Sequence, residues 1–198
     1  MNIVIIGSGG REHALCYKLL KSSKINKIYC IPGNAGTDEI ATNIFADIND
    51  FDEIYKIVLK LNVELIVVGP EIPLVNGIVD YFEKKNIKIF GPNKKCSQLE
   101  GSKFFMKNIC KKYNIPSAKY FEISDINQIE KFLSSVSFPV VVKSDGLAAG
   151  KGVTICNNLD EVIKDVQEIL DGKFKSSNKV FIEEFLEGEE LSLSLIHI

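Results

Sequence analysis

Lys143 to Val153 reads KSDGLAAGKGV, three glycines and two lysines in eleven residues, directly behind the apolar run FPVVV. Glycines with lysines suit a phosphate, but the pattern is not a P-loop. Gly146 and Gly150 are only four apart, and Lys151 precedes Gly152 rather than Ser or Thr. Lys143 ends the strand, so its ammonium is fixed while Gly146 to Gly152 remains adjustable. Such a pair can cover a polyphosphate: the ammonium meets the charge, and backbone N–H groups close over it and exclude water. The alternative is a glycine-rich hairpin with surface lysines.

About forty residues on, Val180 to Glu190 reads VFIEEFLEGEE. An apolar strand runs straight into acids with Phe185 and Leu186 embedded. Its exit could offer backbone groups to a purine edge, an apolar wall, and a carboxylate to ribose hydroxyls. The alternative is a strand and an acidic turn. In order and at this spacing, the two stretches favour a nucleotide clamp.

At the other end of the chain, GSGGREH (Gly7 to His13) joins a first strand to a first helix. Glycines there let backbone N–H groups approach an anion at a helix N-terminus. A dinucleotide fingerprint would need a third glycine where Glu12 stands, and the second strand ends in Pro32-Gly33-Asn34, with no carboxylate for a ribose. The phosphate of a smaller ligand fits better than NAD; a tight turn without a ligand is the alternative. Arg11 and His13 either face that anion or are solvated. PGNAGT (Pro32 to Thr37) and GPEIPL, with Glu71, leave the same sheet edge. Three such exits, one acidic, could surround a phosphorylated sugar carrying an amine, although each alone reads as a plain turn.

These residues need rigid elements. Apolar runs at Ile3–Ile6, 27–31, 65–68 and 87–90 each end at Gly or Pro and read as buried parallel strands. Helical spacing lies between them: Ala14, Leu15, Leu19 and Leu20; Phe51, Ile54, Val58 and Leu61 behind an Asp50/Glu53 capping pair; and Leu74, Val75, Ile78, Val79 and Phe82 behind Pro73. Alternating strands and helices predict a Rossmann-like, doubly wound parallel sheet. The pattern changes between 92 and 115. A basic helical stretch over 97–113 breaks at Gly101. A capped helix carrying Ile129, Phe132 and Leu133, strands at 140–142 and 153–156, a helix over 159–170 and a strand over 180–185 follow. This predicts an α+β second domain with an antiparallel sheet and helices on one face. The domains are expected at 1–100 and 101–198.

The 198 residues are 45% hydrophobic and 25% charged, with a net charge of −2 and pI 5.8. Nucleic acid is not the expected partner. The N-terminus lacks the basic region and cleavage site of a signal peptide, and no run approaches the roughly 18 apolar residues of a membrane span. Five cysteines without a C-x-x-C pair read as reduced thiols of a cytoplasmic protein, and two distant histidines do not make a metal site. The sequence specifies no oligomeric state.

Together, GSGGREHAL, PGNAGT, VGPEIPLVNG, IFGPNKKCSQLEGSK, VVKSDGLAAGKGV and IEEFLEGEE resemble the phosphoribosylamine–glycine ligases (glycinamide ribonucleotide synthetases), ATP-grasp enzymes of purine biosynthesis. The likeness runs in order from residue 1 to about 194. It implies a pre-ATP-grasp N-terminal domain and the first part of an ATP-grasp domain. The implied reaction uses ATP, with Mg²⁺ or Mn²⁺, to phosphorylate the glycine carboxylate. The amine of 5-phosphoribosylamine then attacks the acyl phosphate, giving the amide, ADP and phosphate.

Carried over by position, Lys103 and Lys143 would contact ATP, and Gly150, Lys151 and Gly152 would form the lid. Glu183, Glu184, Phe185 and Leu186 would border adenine, largely by backbone, and Glu190 would hold the ribose. Lys143 and Lys151 would stabilise the transferring phosphate, with no protein nucleophile. Gly9, Gly10, Asn34, Gly36, Thr37, Gly69, Pro70 and Glu71 would line the phosphoribosylamine site. The family's metal ligands lie beyond this stretch, and no metal site is expected in residues 1–198. The chain is therefore expected to be a truncated, inactive part of the ligase that binds ATP weakly, or another ATP-grasp ligase or an inactive nucleotide-binding module. Leu191–Ile198, where LSLSLIHI drifts from the family pattern, is expected to be a strand without neighbours and an aggregation hazard.

Overall fold

A computed structural model of the chain describes residues 1–146, 152–174, 179–189 and 191. The chain divides into two compact units, Met1–Gly101 and Ser102–Ile198.

The first unit runs β1 (Asn2–Gly7), α1 (Gly10–Leu19), β2 (Lys27–Pro32), α2 (Ala35–Asp38), β3 (Thr42–Asn43), α3 (Phe51–Lys60), β4 (Val63–Val68), α4 (Glu71–Asn76), α5 (Ile78–Glu83), β5 (Ile89–Phe90) and α6 (Lys94–Gly101). The strands pair in parallel in the order β3-β2-β1-β4-β5. Side chains alternate across the sheet, so β1 feeds two cores. Val4 and Ile6 pack with Ile54, Val58, Ile78, Val79 and Phe82 of α3 and α5. Ile3 and Ile5 pack with Cys16 of α1 and Cys30 of β2 on the other face. Each fully buried Ile or Val of this kind contributes about 1.5–3 kcal/mol. The sheet is doubly wound, as the strand–helix alternation predicts. Direction reverses at β1, which has β2 on one side and β4 on the other. The carboxyl ends of β1, β2 and β4 therefore meet at one edge.

The second unit runs α7 (Lys103–Lys112), β6 (Tyr120–Ile123), a 3₁₀ turn (Ile126–Gln128), α8 (Ile129–Leu133), β7 (Val140–Ser144), β8 (Val153–Cys156), α9 (Leu159–Leu170) and β9 (Val180–Glu184). Its strands are antiparallel in the order β6-β9-β7-β8. One face, with Val140, Val142, Val180 and Ile182, closes on Ile129, Phe132, Val162, Val166 and Ile169 of α8 and α9.

Several elements differ from the expectation. PGNAGT is more than a turn: Asn34 accepts a hydrogen bond from Thr37 N (2.9 Å) and caps α2. The helix behind Pro73 is two helices, because Gly77 (φ 98°) ends α4 and begins α5 in the left-handed region. Strand β6 was not anticipated. Helices were expected on one face of the second sheet, yet Phe104 of α7 packs edge-on to Phe181 of β9, 5.7 Å between centroids. Phe181 alternates with Ile182 and so lies on the face opposite α9.

All five cysteines are free thiols. Burial pushes the Cys30 thiol up to about 12 and raises that of its neighbour Cys16, whose sulfur lies 3.1 Å away. Among the described residues no helix is long and apolar enough to cross a membrane.

Candidate functional site

In the first unit, the exits of β1 and β4 border a cleft of about 400 Å³, lined by Gly7, Ser8, Gly9, Gly10, Arg11, Glu12, Ile48, Pro70 and Glu71. Helix α1 begins at Gly10, and its first-turn N–H groups lack intrahelical acceptors. Glu12 shapes the wall. Its side chain is buried, and Oε2 accepts from Gly9 N at 2.6 Å. A Cβ on Gly7 would stand 2.7 Å from Glu12 Cδ, and one on Gly69 would stand 1.9 Å from Oε1. These glycines make room for a carboxylate, which is why the dinucleotide fingerprint fails at this position.

Arg11 reaches across from α1. It donates to Gly69 O (2.8 Å) and to Glu71 Oε1 (3.2 Å). The backbone N–H of Glu71, then Arg11, hold the Glu71 carboxyl below its usual range. The eight residues expected to bind the sugar phosphate separate into two groups. Gly9, Gly10, Pro70 and Glu71 line the cleft. Asn34, Gly36, Thr37 and Gly69 are not among its lining residues. Asn34 Nδ2 donates to Ser8 O (2.8 Å) and tethers the β1–α1 loop, Thr37 is fully buried beside Asn43, and Gly36 leaves space for the His13 ring. Ser8, Glu12 and Ile48 line the cleft without having been selected from the sequence. The i+3 spacing from Gly9 to Glu12, a capping-box geometry, was the available signal for Glu12.

The second unit has a separate constellation. Lys143 is the penultimate residue of β7, which runs one residue past the expected strand end to Ser144, and Glu183 lies on the adjacent β9, paired in register with Val141 and Tyr120. Lys143 Nζ donates to Glu183 Oε2 at 2.6 Å. Lys107, one turn along α7 from Lys103, places its own Nζ 2.9 Å from Glu183 Oε1. That second contact is an ion pair without hydrogen-bond geometry. Lys107 Nζ donates instead to Ser117 Oγ (2.6 Å) and Ala118 O (3.1 Å).

The glycine stretch is tied down where it leaves the sheet. Ser144 N donates to Gly152 O at 3.0 Å, joining its two ends. Lys103 Nζ donates to Gly146 O at 2.8 Å. Asp145 is buried and accepts from Ser102 Oγ (3.1 Å) and Phe104 N (3.3 Å). Lys103, Lys143, Gly152 and Glu183 thus belong to one constellation. Glu184 pairs with the Lys119 backbone, its N donating to Lys119 O and its Oε1 accepting from Lys119 N. Phe185 and Leu186 follow, with Leu186 65% exposed. Gly150, Lys151 and Glu190 lie outside the described residues, as does the expected terminal strand beyond Leu191. Lys107 and Asp145 were not anticipated. The i, i+4 spacing of Lys103 and Lys107 was the signal for the first.

Two family models account for nearly the whole chain: the N domain of phosphoribosylglycinamide synthetase over residues 1–100 and its ATP-grasp (A) domain over 101–197. The chain belongs to the phosphoribosylglycinamide synthetase family. A phosphoribosylamine–glycine ligase of Clostridium acetobutylicum is 44% identical over 198 residues, covering 98% of this chain and 47% of that protein. The crystal structure of the phosphoribosylamine–glycine ligase of Thermotoga maritima superposes with a TM-score of 0.75 at 32% identity, over 96% of this chain and 45% of that one. The biotin carboxylase domain of the Hydrogenobacter thermophilus 2-oxoglutarate carboxylase, solved with MgADP and bicarbonate, shares the fold at a TM-score of 0.78 and 18% identity, over 94% and 44% of the two chains. The chain spans about half the length of the synthetases it matches.

Proposed function

We propose that this chain supplies the sugar-phosphate and nucleotide contacts of a phosphoribosylamine–glycine ligase. The reaction joins glycine to 5-phosphoribosylamine at the expense of ATP, through a glycyl phosphate. A carboxylate resists amines until phosphate becomes its leaving group, and ATP supplies that phosphate. The observation that carries the reading is Lys143. It is held by Glu183 at the mouth of a hairpin whose ends are joined at Ser144 and Gly152, in a chain of this family.

The parts given to the residues rest on the family likeness, with the described contacts in support. Lys143 meets phosphate charge, and Lys103 anchors the covering loop through Gly146 O. Gly150, Lys151 and Gly152 close over the phosphates and exclude water, which would hydrolyse an acyl phosphate. Backbone groups at Glu183–Leu186 border adenine, with Phe185 and Leu186 as its apolar wall, and Glu190 takes the ribose. In the first unit, the α1 N-terminus at Gly9 and Gly10 takes the sugar phosphate. Glu71, ionised beside Arg11, faces the amine. Pro70 lines the same cleft, and Asn34, Gly36, Thr37 and Gly69 hold these loops in place. Among the described residues no group of three or more His, Cys, Asp or Glu side chains could hold a metal ion, so no step is assigned to Mg²⁺ or Mn²⁺ here.

Calorimetry with ATP and Mg²⁺ on the 198-residue chain and on Lys143→Ala tests the nucleotide half. The expected result is binding that weakens at least about tenfold in the variant, one charge-assisted hydrogen bond being worth about 1.5–3 kcal/mol. Equal affinity of the two chains, or no binding by either, would overturn it. Ribose 5-phosphate, a stable stand-in for the labile amine, tests the other half: its NMR shift perturbations should fall on Gly9, Gly10 and Glu71.

A further inference from the structure

Glu183 shares its one carboxylate between two ammonium groups. It is buried, its side chain 5% exposed. The lysines differ sharply. Lys143 is 26% exposed, whereas Lys107 is 4% exposed and pinned by Ser117 Oγ and Ala118 O. Two positive charges against one negative leave a surplus of one, which suits an arriving anion. The lysine able to answer that anion is Lys143, because it is much the more exposed of the two and Lys107 is held by its other partners. Its departure would leave Glu183 buried, and an uncompensated buried carboxylate is strongly unfavourable. Lys107 removes that obstacle. Among the described residues, Glu183 is the only carboxylate in ion-pair contact with it.

We propose that Lys107 is a positioning residue for nucleotide binding: it is the standing counter-ion of Glu183, and it lets Lys143 turn from that carboxylate to the phosphates. The inference rests on the nucleotide reading above and deepens it. Without Lys107, Lys143 is the sole partner of Glu183, and each phosphate contact made by Lys143 exposes the carboxylate's full cost. With Glu183 neutral, Lys107 has nothing to compensate and its charge becomes dispensable to the ligand.

The test is a double-mutant cycle on the 198-residue chain, with MgATP affinity measured by calorimetry and folding checked by thermal unfolding. Lys107→Met is expected to weaken binding about tenfold, mid-range for residues that share one ion-pair network. In a Glu183→Gln background the same substitution is expected to change affinity less than about twofold. A merely structural role of Lys107 would not depend on the charge of Glu183. Equal losses in both backgrounds, or no loss in the native one, overturn the proposal. Should Lys107→Met alone not fold, Glu183→Gln and the double variant carry the comparison: equal affinities support the counter-ion role, and weaker binding by the double variant overturns it. No binding by the native chain refutes the nucleotide reading and this inference with it. Binding that Lys143→Ala removes but the cycle leaves unmoved refutes the inference alone.

Discussion

At the scale of single residues, glycines in the first unit that look alike in sequence have opposite reasons for being there. Gly69 is excluded from bearing a side chain by Glu12, whose Oε1 would lie 1.9 Å from its Cβ. Gly10 meets nothing within 4 Å and opens α1. Gly69→Ala is therefore expected to destabilise the chain by about 1–3 kcal/mol, the cost of overpacking a fixed neighbour. Gly10→Ala is expected to be neutral or stabilising by up to about 1 kcal/mol, since alanine favours the helix. Urea denaturation measures both. Pairing Gly69→Ala with Glu12→Ala should recover part of the loss, and strict additivity would show that Glu12 is not the obstacle. Gly10→Ala separates folding from ligand: it should keep stability while weakening ribose 5-phosphate binding, because a methyl group obstructs the approach to the first-turn N–H groups.

At the scale of elements, the break between α6 and α7 is set by Ser102, whose hydroxyl caps α7 by accepting from Phe105 N at 3.1 Å. The same hydroxyl contacts Asp145 at the start of the glycine stretch. Ser102→Ala is expected to cost about 1 kcal/mol in urea denaturation, typical of a lost N-cap, and Ser102→Asp is expected to cost more, because a second carboxylate would face Asp145. A loss below about 0.3 kcal/mol for the alanine variant would show that Gly101 alone sets the break. Gly101 was the feature legible in the sequence, and the helices divide one residue later. Strands β1, β2, β4, β5, β7, β8 and β9 were legible as short apolar runs ended by turn residues, the buried parallel or central ones nearly continuously apolar. Strand β6, YFEI, was not: it is an edge strand whose Glu122 interrupts the apolar pattern, and it is defined by pairing with β9 sixty residues away. The nucleotide constellation was half legible for the same reason. Lys143 sits in a local motif, but Lys107 joins Glu183 only through the packing of α7 on the sheet, which no local pattern encodes.

At the scale of the molecule, the first unit holds both its cores within its own residues. Every residue of the two cores of the first unit lies before residue 90, and all five strands of its parallel sheet lie within it. Helix α6 belongs to the same unit. Ser97 is buried on it, Lys94 N donates to Asp80 Oδ2 of α5 at 2.6 Å, and Gly101 lies so close to Val75 of α4 that a Cβ would stand 2.7 Å from its Cγ2. Residues 1–101, expressed alone, are therefore expected to fold, with one cooperative urea transition followed by far-UV circular dichroism and a slope of about 1–2 kcal/mol/M. Residues 1–92 retain both cores but lose α6, uncovering Val75 and leaving Asp80 without its backbone donor. That shorter piece is expected to be about 2 kcal/mol less stable, the order of one large buried apolar contact with one hydrogen bond. A broad, non-cooperative transition for residues 1–101 would mean that the parallel sheet needs the second unit in order to form. Equal stability of the two pieces would place the functional end of the first unit at Pro92, where the fourth parallel-strand signal of the sequence also ends.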